Sequence, residues 1–427
     1  MRIAISGASG YIGQHLSSFL EGKGYDVIPL GRDLFKEDCF DELCRCVESC
    51  EVVINLAGAS INKRWTEAYK QELYDSRICV TRQLVHAINT RSVKLELFIS
   101  ASAVGYYPAF GEYDEYHDCR GMDFLARLCG AWEEEASACS SDVRLVITRF
   151  GVVLSEDGGA LKEMLRLQRF SRVSVVIGNG QQRFPWISLF DLCRSFGHII
   201  RNRQMRGVVN LVSPDLITQK QLAHTLARAD KIRRIIPLPE FFFRLKFGEG
   251  ASFVTKGQTV HPSKLQESGF TYIYPTIEKL MNITDHHTVP ELDVKRYMGR
   301  WYEIARYENH FERGMTDVTA TYTLLPDGKI LVENEGYKGG VHKKATGRAK
   351  QPDPKNNPGK LKVAFLWFYA DYYILELDAD YQYAVIGSST DKYFWILSRE
   401  RNLPEAVRED LLGKITERGY DISKLIS

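Results

Sequence analysis

Ile3-Ala4-Ile5-Ser6-Gly7-Ala8-Ser9-Gly10-Tyr11-Ile12-Gly13 is the stretch that decides the fold of the first half of this chain. A short apolar strand runs into three glycines spaced three apart, and a helix-like segment continues to Leu20. Glycine permits a tight turn and the close approach of another backbone. A helix N-terminus adds unpaired N–H groups and the positive end of its dipole. Together they make a cradle for phosphate. The motif gains weight from its context, because it follows a first strand and opens a helix. Working outward, apolar runs at 3–6, 27–30, 52–56, 97–100 and 145–148 alternate with helical periodicity over 65–88 and 124–138. That is the pattern of a Rossmann-like parallel sheet wrapped by helices, an α/β fold. Past Gly151 the pattern loosens into a small lobe that closes over the sheet edge.

The end of the second strand reports on the dinucleotide, since a ribose 2′-hydroxyl is usually held by a carboxylate and a 2′-phosphate needs a cation. Here the residues are Leu30-Gly31-Arg32. NADP(H) is therefore the preferred cofactor, with Arg32 on the 2′-phosphate. Asp33 stands next to it, and a shift of one residue would turn the preference to NAD(H).

Residue types are unevenly spread. All nine cysteines precede residue 200, whereas 12 of 22 tyrosines lie from Tyr297 to Tyr420. At 427 residues the chain exceeds a single core, so a second unit is expected. The polar, proline-bearing segment 284–291 is the expected linker, between 1–283 and 292–427. Alternation over 318–324, the turn Pro326-Asp327-Gly328, and further strands at 330–334, 361–368, 372–377, 383–387 and 393–398 predict an all-β barrel, closed by a helix over 404–418. A net charge of +2 gives no reason to expect nucleic acid. No apolar run is long enough to span a bilayer, and the chain opens on a strand, so a cytoplasmic address is expected. An odd number of cysteines argues for reduced thiols. Cys39, Cys44, Cys46 and Cys50 contain no CxxC pair, and His286-His287 read as solvated, so no metal is expected.

Gly7, Ser9, Gly10, Tyr11, Ile12 and Gly13, with Val53-Ile54-Asn55-Leu56-Ala57-Gly58 after a later core strand, resemble the extended short-chain dehydrogenases/reductases. Ser100-Ala101-Ser102-Ala103-Val104-Gly105-Tyr106-Tyr107, Trp132-Glu133, Arg149-Phe150-Gly151 and Phe184-Pro185-Trp186-Ile187-Ser188 resemble the divergent epimerase branch of that superfamily. Segment 257–275 is similar to that branch's C-terminal subdomain, placed at about 235–283. The resemblance implies that Leu56, Ala57, Gly58 and Arg77 join the cofactor site, Arg77 at a phosphate or ribose. Typical members use a serine together with Tyr-x-x-x-Lys, in which the lysine lowers the tyrosine pKa for proton exchange. In this chain the corresponding helix, Phe124-Leu125-Ala126-Arg127-Leu128-Cys129-Gly130-Ala131-Trp132, has neither tyrosine nor lysine. Ser102 matches the family serine. Tyr106 is the candidate replacement acid, with Tyr107 beside it, while Asp114 and Glu115 read as a charged loop.

Leu292 to Tyr307, with Gly299-Arg300-Trp301 at its centre, Ala379 to Val385, and Tyr393-Phe394-Trp395-Ile396-Leu397-Ser398-Arg399 are similar to the three conserved segments of the lipocalins, in particular the bacterial ones related to apolipoprotein D. The resemblance implies an eight-stranded barrel around a small hydrophobic ligand, a fatty acid or a lysophospholipid. In it Gly299, Trp301 and Arg399 form a structural signature, with the arginine stacked on the tryptophan. Bacterial relatives are commonly anchored through a lipidated N-terminal cysteine. This barrel is internal and has no cysteine, so that anchor is not expected. Two readings stand: an NADP-dependent oxidoreductase or epimerase acting on an unknown, lipophilic small molecule, or a catalytically inactive NADP-binding sensor fused to a lipid carrier.

Overall fold

The computed structural model describes the chain except residues 94, 252–254, 310, 366–368 and 427, and except the side chains at 37 and 246. It divides into two compact units, Met1–Met281 and Asn282–Ser427.

The first unit is built on a six-stranded, wholly parallel sheet. Its strands are β1 (Arg2–Ser6), β2 (Asp26–Leu30), β3 (Val52–Asn55), β4 (Leu97–Ala103), β6 (Arg144–Phe150) and β10 (Gly207–Leu211), in the order β10-β6-β4-β3-β1-β2. Successive side chains of a strand point to opposite faces, and here both faces are buried. Ile3 and Ile5 pack on one side with α1 (Tyr11–Glu21) and α6 (Leu189–Arg201). Ala4 faces α2 (Phe40–Glu48) and α3 (Glu67–Thr90) on the other. The five expected strands are present. β10 was not expected, because Gly207-Val208-Val209-Asn210-Leu211 is short and follows a loop-rich region.

The remaining strands form two-stranded patches: β5 (Glu112–Tyr113) with β12 (Thr259–Val260), β7 (Val152–Ser155) with β9 (Trp186–Ser188), and β8 (Val173–Ile177) with β11 (Arg234–Leu238). α4 (Phe124–Ser137) packs on β4, while α5 (Gly159–Ser171), α7 (Gln219–Ala229) and α8 (Glu240–Phe247) complete the lobe.

The second unit is an antiparallel barrel of β13 (Gly299–Tyr307), β14 (Met315–Leu324), β15 (Ile330–Lys338), β16 (Val341–Lys350), β17 (Lys360–Ala364), β18 (Ala370–Leu377), β19 (Tyr383–Gly387) and β20 (Trp395–Ser398). β13 pairs with both β14 and β20 and so closes the barrel. The helix Glu405–Glu417 packs outside through Leu411 and Ile415, against Ala305, Tyr307, Val385 and Phe394. β16 was absent from the sequence expectations because Val341-His342-Lys343-Lys344-Ala345-Thr346 is exposed throughout and carries no apolar alternation. The expected strand 361–368 ends at Ala364 in β17, and its residues 366–368 lie outside the described residues.

The segment read as a linker is tied to the barrel. The Asp285 N–H donates to Arg418 O at 2.7 Å and the Val289 N–H to Ile374 O at 3.0 Å. His286 pairs with Asp391 at 2.7 Å. Among the described residues, no helix is long and apolar enough to cross a membrane.

Candidate functional site

The cradle forms where β1 ends. Gly7 adopts φ +75°, and a Cβ there would lie 2.8 Å from the Leu56 carbonyl carbon and 2.9 Å from the Ala57 nitrogen. Gly13 faces back onto the turn, where a Cβ would meet Gly7 O and come within 2.7 Å of Ala8 Cα. Gly10 is the N-cap of α1 and no side chain caps the helix, so among the described residues the first-turn N–H groups of Tyr11, Ile12 and Gly13 have no side-chain partner, an arrangement suited to an anion. Ser9 and Gly10 are exposed at the lip. This geometry fits the pyrophosphate of a dinucleotide: every position that a side chain would block is glycine.

Beneath the cradle runs a buried polar network. Ser6 Oγ donates to Asn55 Oδ1 at 2.6 Å, Asn55 Nδ2 to Thr81 Oγ1 at 2.8 Å, and Trp132 Nε1 to the same Thr81 oxygen at 2.9 Å. It joins β1, β3, α3 and α4 and holds the Leu56–Gly58 turn beside the glycines.

Arg77 donates to Leu73 O and Ala59 O, both at 3.1 Å, and lies 5.2 Å from the Trp132 ring. Burial pulls its guanidinium below the ordinary arginine value, and among the described residues no carboxylate pairs with it. A Cβ on Gly58 would sit 2.9 Å from Arg77 Cζ, so Arg77 shapes the turn from below. Arg32 is exposed just past β2, at the start of a 3-10 turn (Arg32–Phe35), and makes no ion pair among the described residues. Asp33 is instead occupied by Lys36 at 2.5 Å, which lowers its pKa.

The second cluster lies at the ends of β4 and β6. Ser102 and Arg149 are directly paired in the parallel ladder. Glu133, one turn after Cys129 on α4, bridges them: Ser102 Oγ donates to Glu133 Oε1 at 2.6 Å, while Arg149 Nε and Nη2 donate to the two carboxylate oxygens at 2.8 and 2.7 Å. The Arg149 and Glu133 side chains are 5% and 10% exposed. Burial alone would lower the Arg149 guanidinium, but the bidentate bond to Glu133 outweighs it and holds it above its ordinary value. Burial pushes the Cys129 thiol, close to the Ser102 hydroxyl, up to about 12.

The Tyr106 ring stacks on Arg149, 3.5 Å from Cζ, and its hydroxyl donates to Asp118 Oδ1 at 3.1 Å. Burial, then that hydrogen bond, raises its pKa. Tyr107 donates to Asn210 Oδ1 at 3.1 Å and Asp114 O at 2.9 Å. Glu115 accepts the Asn210 N–H at 2.8 Å and the Lys264 N–H at 3.3 Å, and burial raises its carboxyl. Sequence reasoning did not assign Glu133, Cys129 or Arg149 to this cluster. Their signal was the i, i+4 spacing of Cys129 and Glu133 on the helix expected to carry Tyr-x-x-x-Lys.

In the barrel, Gly299 adopts φ +98° beside Arg399, whose guanidinium lies 3.9 Å from the buried Trp301 ring. Arg399 donates to the carbonyls of Arg296, Tyr297, Met298, Arg300 and Tyr381. It seals the end of the barrel where the chain enters.

The two units define a dinucleotide-binding Rossmann protein of the epimerase type joined to a lipocalin barrel. Residues 3–211 match the NAD dependent epimerase/dehydratase family, 238–282 a domain of unknown function, and 292–427 the lipocalin-like domain. This chain belongs to the epimerase family and carries the lipocalin-like domain after it. It is 33% identical over 297 residues to the chloroplastic epimerase family protein SDR39U1 homolog of Arabidopsis thaliana, covering 65% of this chain and 85% of the relative. It is also 33% identical over 307 residues to epimerase family protein YfhF of Bacillus subtilis, covering 68% of this chain and all of the relative. The crystal structure of human epimerase family protein SDR39U1 with NADPH superposes with a TM-score of 0.61 at 32% identity, covering 66% of this chain and 98% of the human one.

Proposed function

We propose that the first unit binds NADP(H) and performs oxidoreductase or epimerase-like chemistry on a small hydroxyl- or carbonyl-bearing molecule. The observation that carries this reading is the glycine cradle at the uncapped α1, with Arg32 exposed at the end of β2 and without an ion pair among the described residues. The solved relative with NADPH supports the choice of the phosphorylated form. When bound, the nicotinamide supplies or accepts a hydride. The chain's own part is a proton path. Ser102 already donates its proton to Glu133, so its oxygen is free to accept one from a substrate hydroxyl, and Arg149 holds Glu133 as the receiving carboxylate. In this proposal Tyr106 covers Arg149 rather than serving as the acid, since its hydroxyl is held by Asp118.

The second reading, an NADP-binding sensor or scaffold without turnover, is favoured by one fact: Ser102 is only 3% exposed. NADPH oxidation against a panel of carbonyls and nucleotide sugars decides between them. Turnover lost in Ser102→Ala supports the enzyme, and binding without turnover across the panel supports the sensor. Arg32→Ala should weaken NADPH about tenfold or more and leave NADH unchanged. An unchanged NADPH dissociation constant would sink the assignment.

The barrel is proposed to hold a small hydrophobic ligand, for which the lipocalin resemblance puts forward a fatty acid or a lysophospholipid. Ala320, Ala349 and Ala384 are the small residues among the larger apolar side chains of its interior. The covalent link raises the effective concentration of a shared ligand between the units. A cytoplasmic address fits nine unpaired thiols.

A further inference from the structure

Two helix ends and the start of a strand meet at one edge of the first unit's lobe. α5 stops at Ser171 and is capped by Arg172 at φ +57°, and just past the end of α7 Lys231 adopts φ +54°. This left-handed region favours glycine, yet a cation stands at both turns. Arg233 follows, and Arg234 opens β11 in parallel register with Val173 of β8. Ser171, Arg172, Lys231, Arg233 and Arg234 line one depression of about 290 Å³, and the buried Ile232 completes its wall.

The four cations are exposed, and none makes an ion pair among the described residues. The neighbouring carboxylate, Asp230, is already taken: it accepts Arg169 Nε at 2.9 Å and Gln168 Nε2 at 2.6 Å. Four uncompensated charges exceed the net +2 of the whole chain, so the rest of the protein is net negative. A cation beyond a helix C-terminus answers the helix dipole, which accounts for Arg172 and Lys231. It does not account for Arg233 and Arg234, nor for the rim of the depression.

That rim is apolar. Phe170, 91% exposed, directly precedes Ser171, and Leu167, 56% exposed, lies one turn back on the same face of α5. Ile236, also exposed, shares a side of β11 with Arg234. A soluble phosphate would use the cations and leave these side chains bare to water. A nucleic acid would call for a basic track along its backbone rather than one depression. An anionic bilayer surface uses both features, because headgroup phosphates meet the cations while large apolar side chains enter the acyl boundary.

We propose that this edge is a membrane-contact surface: the depression takes the phosphate of an anionic phospholipid headgroup, and Phe170, Leu167 and Ile236 dip into the leaflet. Contact of this kind is peripheral and reversible, and it weakens with salt.

The test is cosedimentation of the full chain, with NADPH present to fill the phosphate cradle, using vesicles of phosphatidylcholine alone and of phosphatidylcholine with an equal part of phosphatidylglycerol. The anionic vesicles should be bound about tenfold or more tighter, and about 0.5 M salt should remove most of that gain. Arg233→Gln combined with Arg234→Gln should lose about tenfold on the anionic vesicles. Phe170→Ser should lose several-fold and keep the salt dependence. Near-ultraviolet circular dichroism checks folding, and if the double variant fails to fold, Phe170→Ser with the salt series carries the test. Equal binding to both vesicles, or binding that neither substitution moves, overturns the proposal. So does the absence of vesicle binding. In that case calorimetric titration of inorganic pyrophosphate or of an oligonucleotide, with the signal lost in the double variant, reassigns the depression to a soluble anion or to nucleic acid.

Discussion

Arg149→Met removes one partner of the buried pair while keeping most of the side-chain volume. The pair is bidentate, at 2.8 and 2.7 Å, and nearly dry, so the stranded Glu133 carboxylate retains only the Ser102 hydroxyl. Breaking such a pair costs about 3–5 kcal/mol. In a unit of this size each kcal/mol moves the midpoint by roughly 2–3 °C, so calorimetry of the full chain should show one transition falling by roughly 6–15 °C. The double variant Arg149→Met with Glu133→Leu should recover most of the loss, since replacing both charges by apolar groups is close to neutral. A single variant that loses less than about 1 kcal/mol, or a double variant no better than the single, would refute the view that the pair is an interdependent buried unit.

Other outcomes follow from the same geometry. Gly13→Ala forces a methyl group against Gly7 O and Ala8 Cα, so NADPH is expected to raise the melting midpoint of the parent chain and to leave that of the variant unchanged. Arg399→Lys should cost the barrel about 3 kcal/mol by denaturant titration, because an ammonium has neither five donors in a plane nor a flat face for Trp301. A cost under about 1 kcal/mol would contradict the sealing role. Glu303, raised by burial and then by Glu312, titrates in the folded barrel at about 7 against an ordinary value of 4.5. A raised carboxyl favours the protonated folded state, so its contribution is complete below about pH 4.5 and is lost as pH climbs through 7. The loss is roughly 3 kcal/mol. Midpoints measured across that window should fall with rising pH in the parent chain and stay flatter in Glu303→Gln.

Much of the fold was legible because it rests on local patterns. Apolar runs between amphipathic segments mark the parallel sheet, and Gly7, Gly10 and Gly13 mark its phosphate turn, since no other residue type leaves that space open. β10 and β16 were not legible, one too short and the other too polar, because their pairing is set by neighbours distant in sequence.

The Ser102–Glu133–Arg149 cluster was half legible. Ser102 could be read from its motif, but its partners Glu133 and Arg149 come from a helix and a strand 31 and 47 residues further on, and only the β4–β6 register and the packing of α4 bring them together. The barrel draws the same line. The sequence by itself determined the two segments that hold Trp301 and Arg399, and their resemblance to the lipocalins implied that the two side chains meet. Only the tertiary structure decided that Arg306 points inward, because strict alternation from Trp301 would have put Ala305 there, and one bulge reverses the sides of every residue after it.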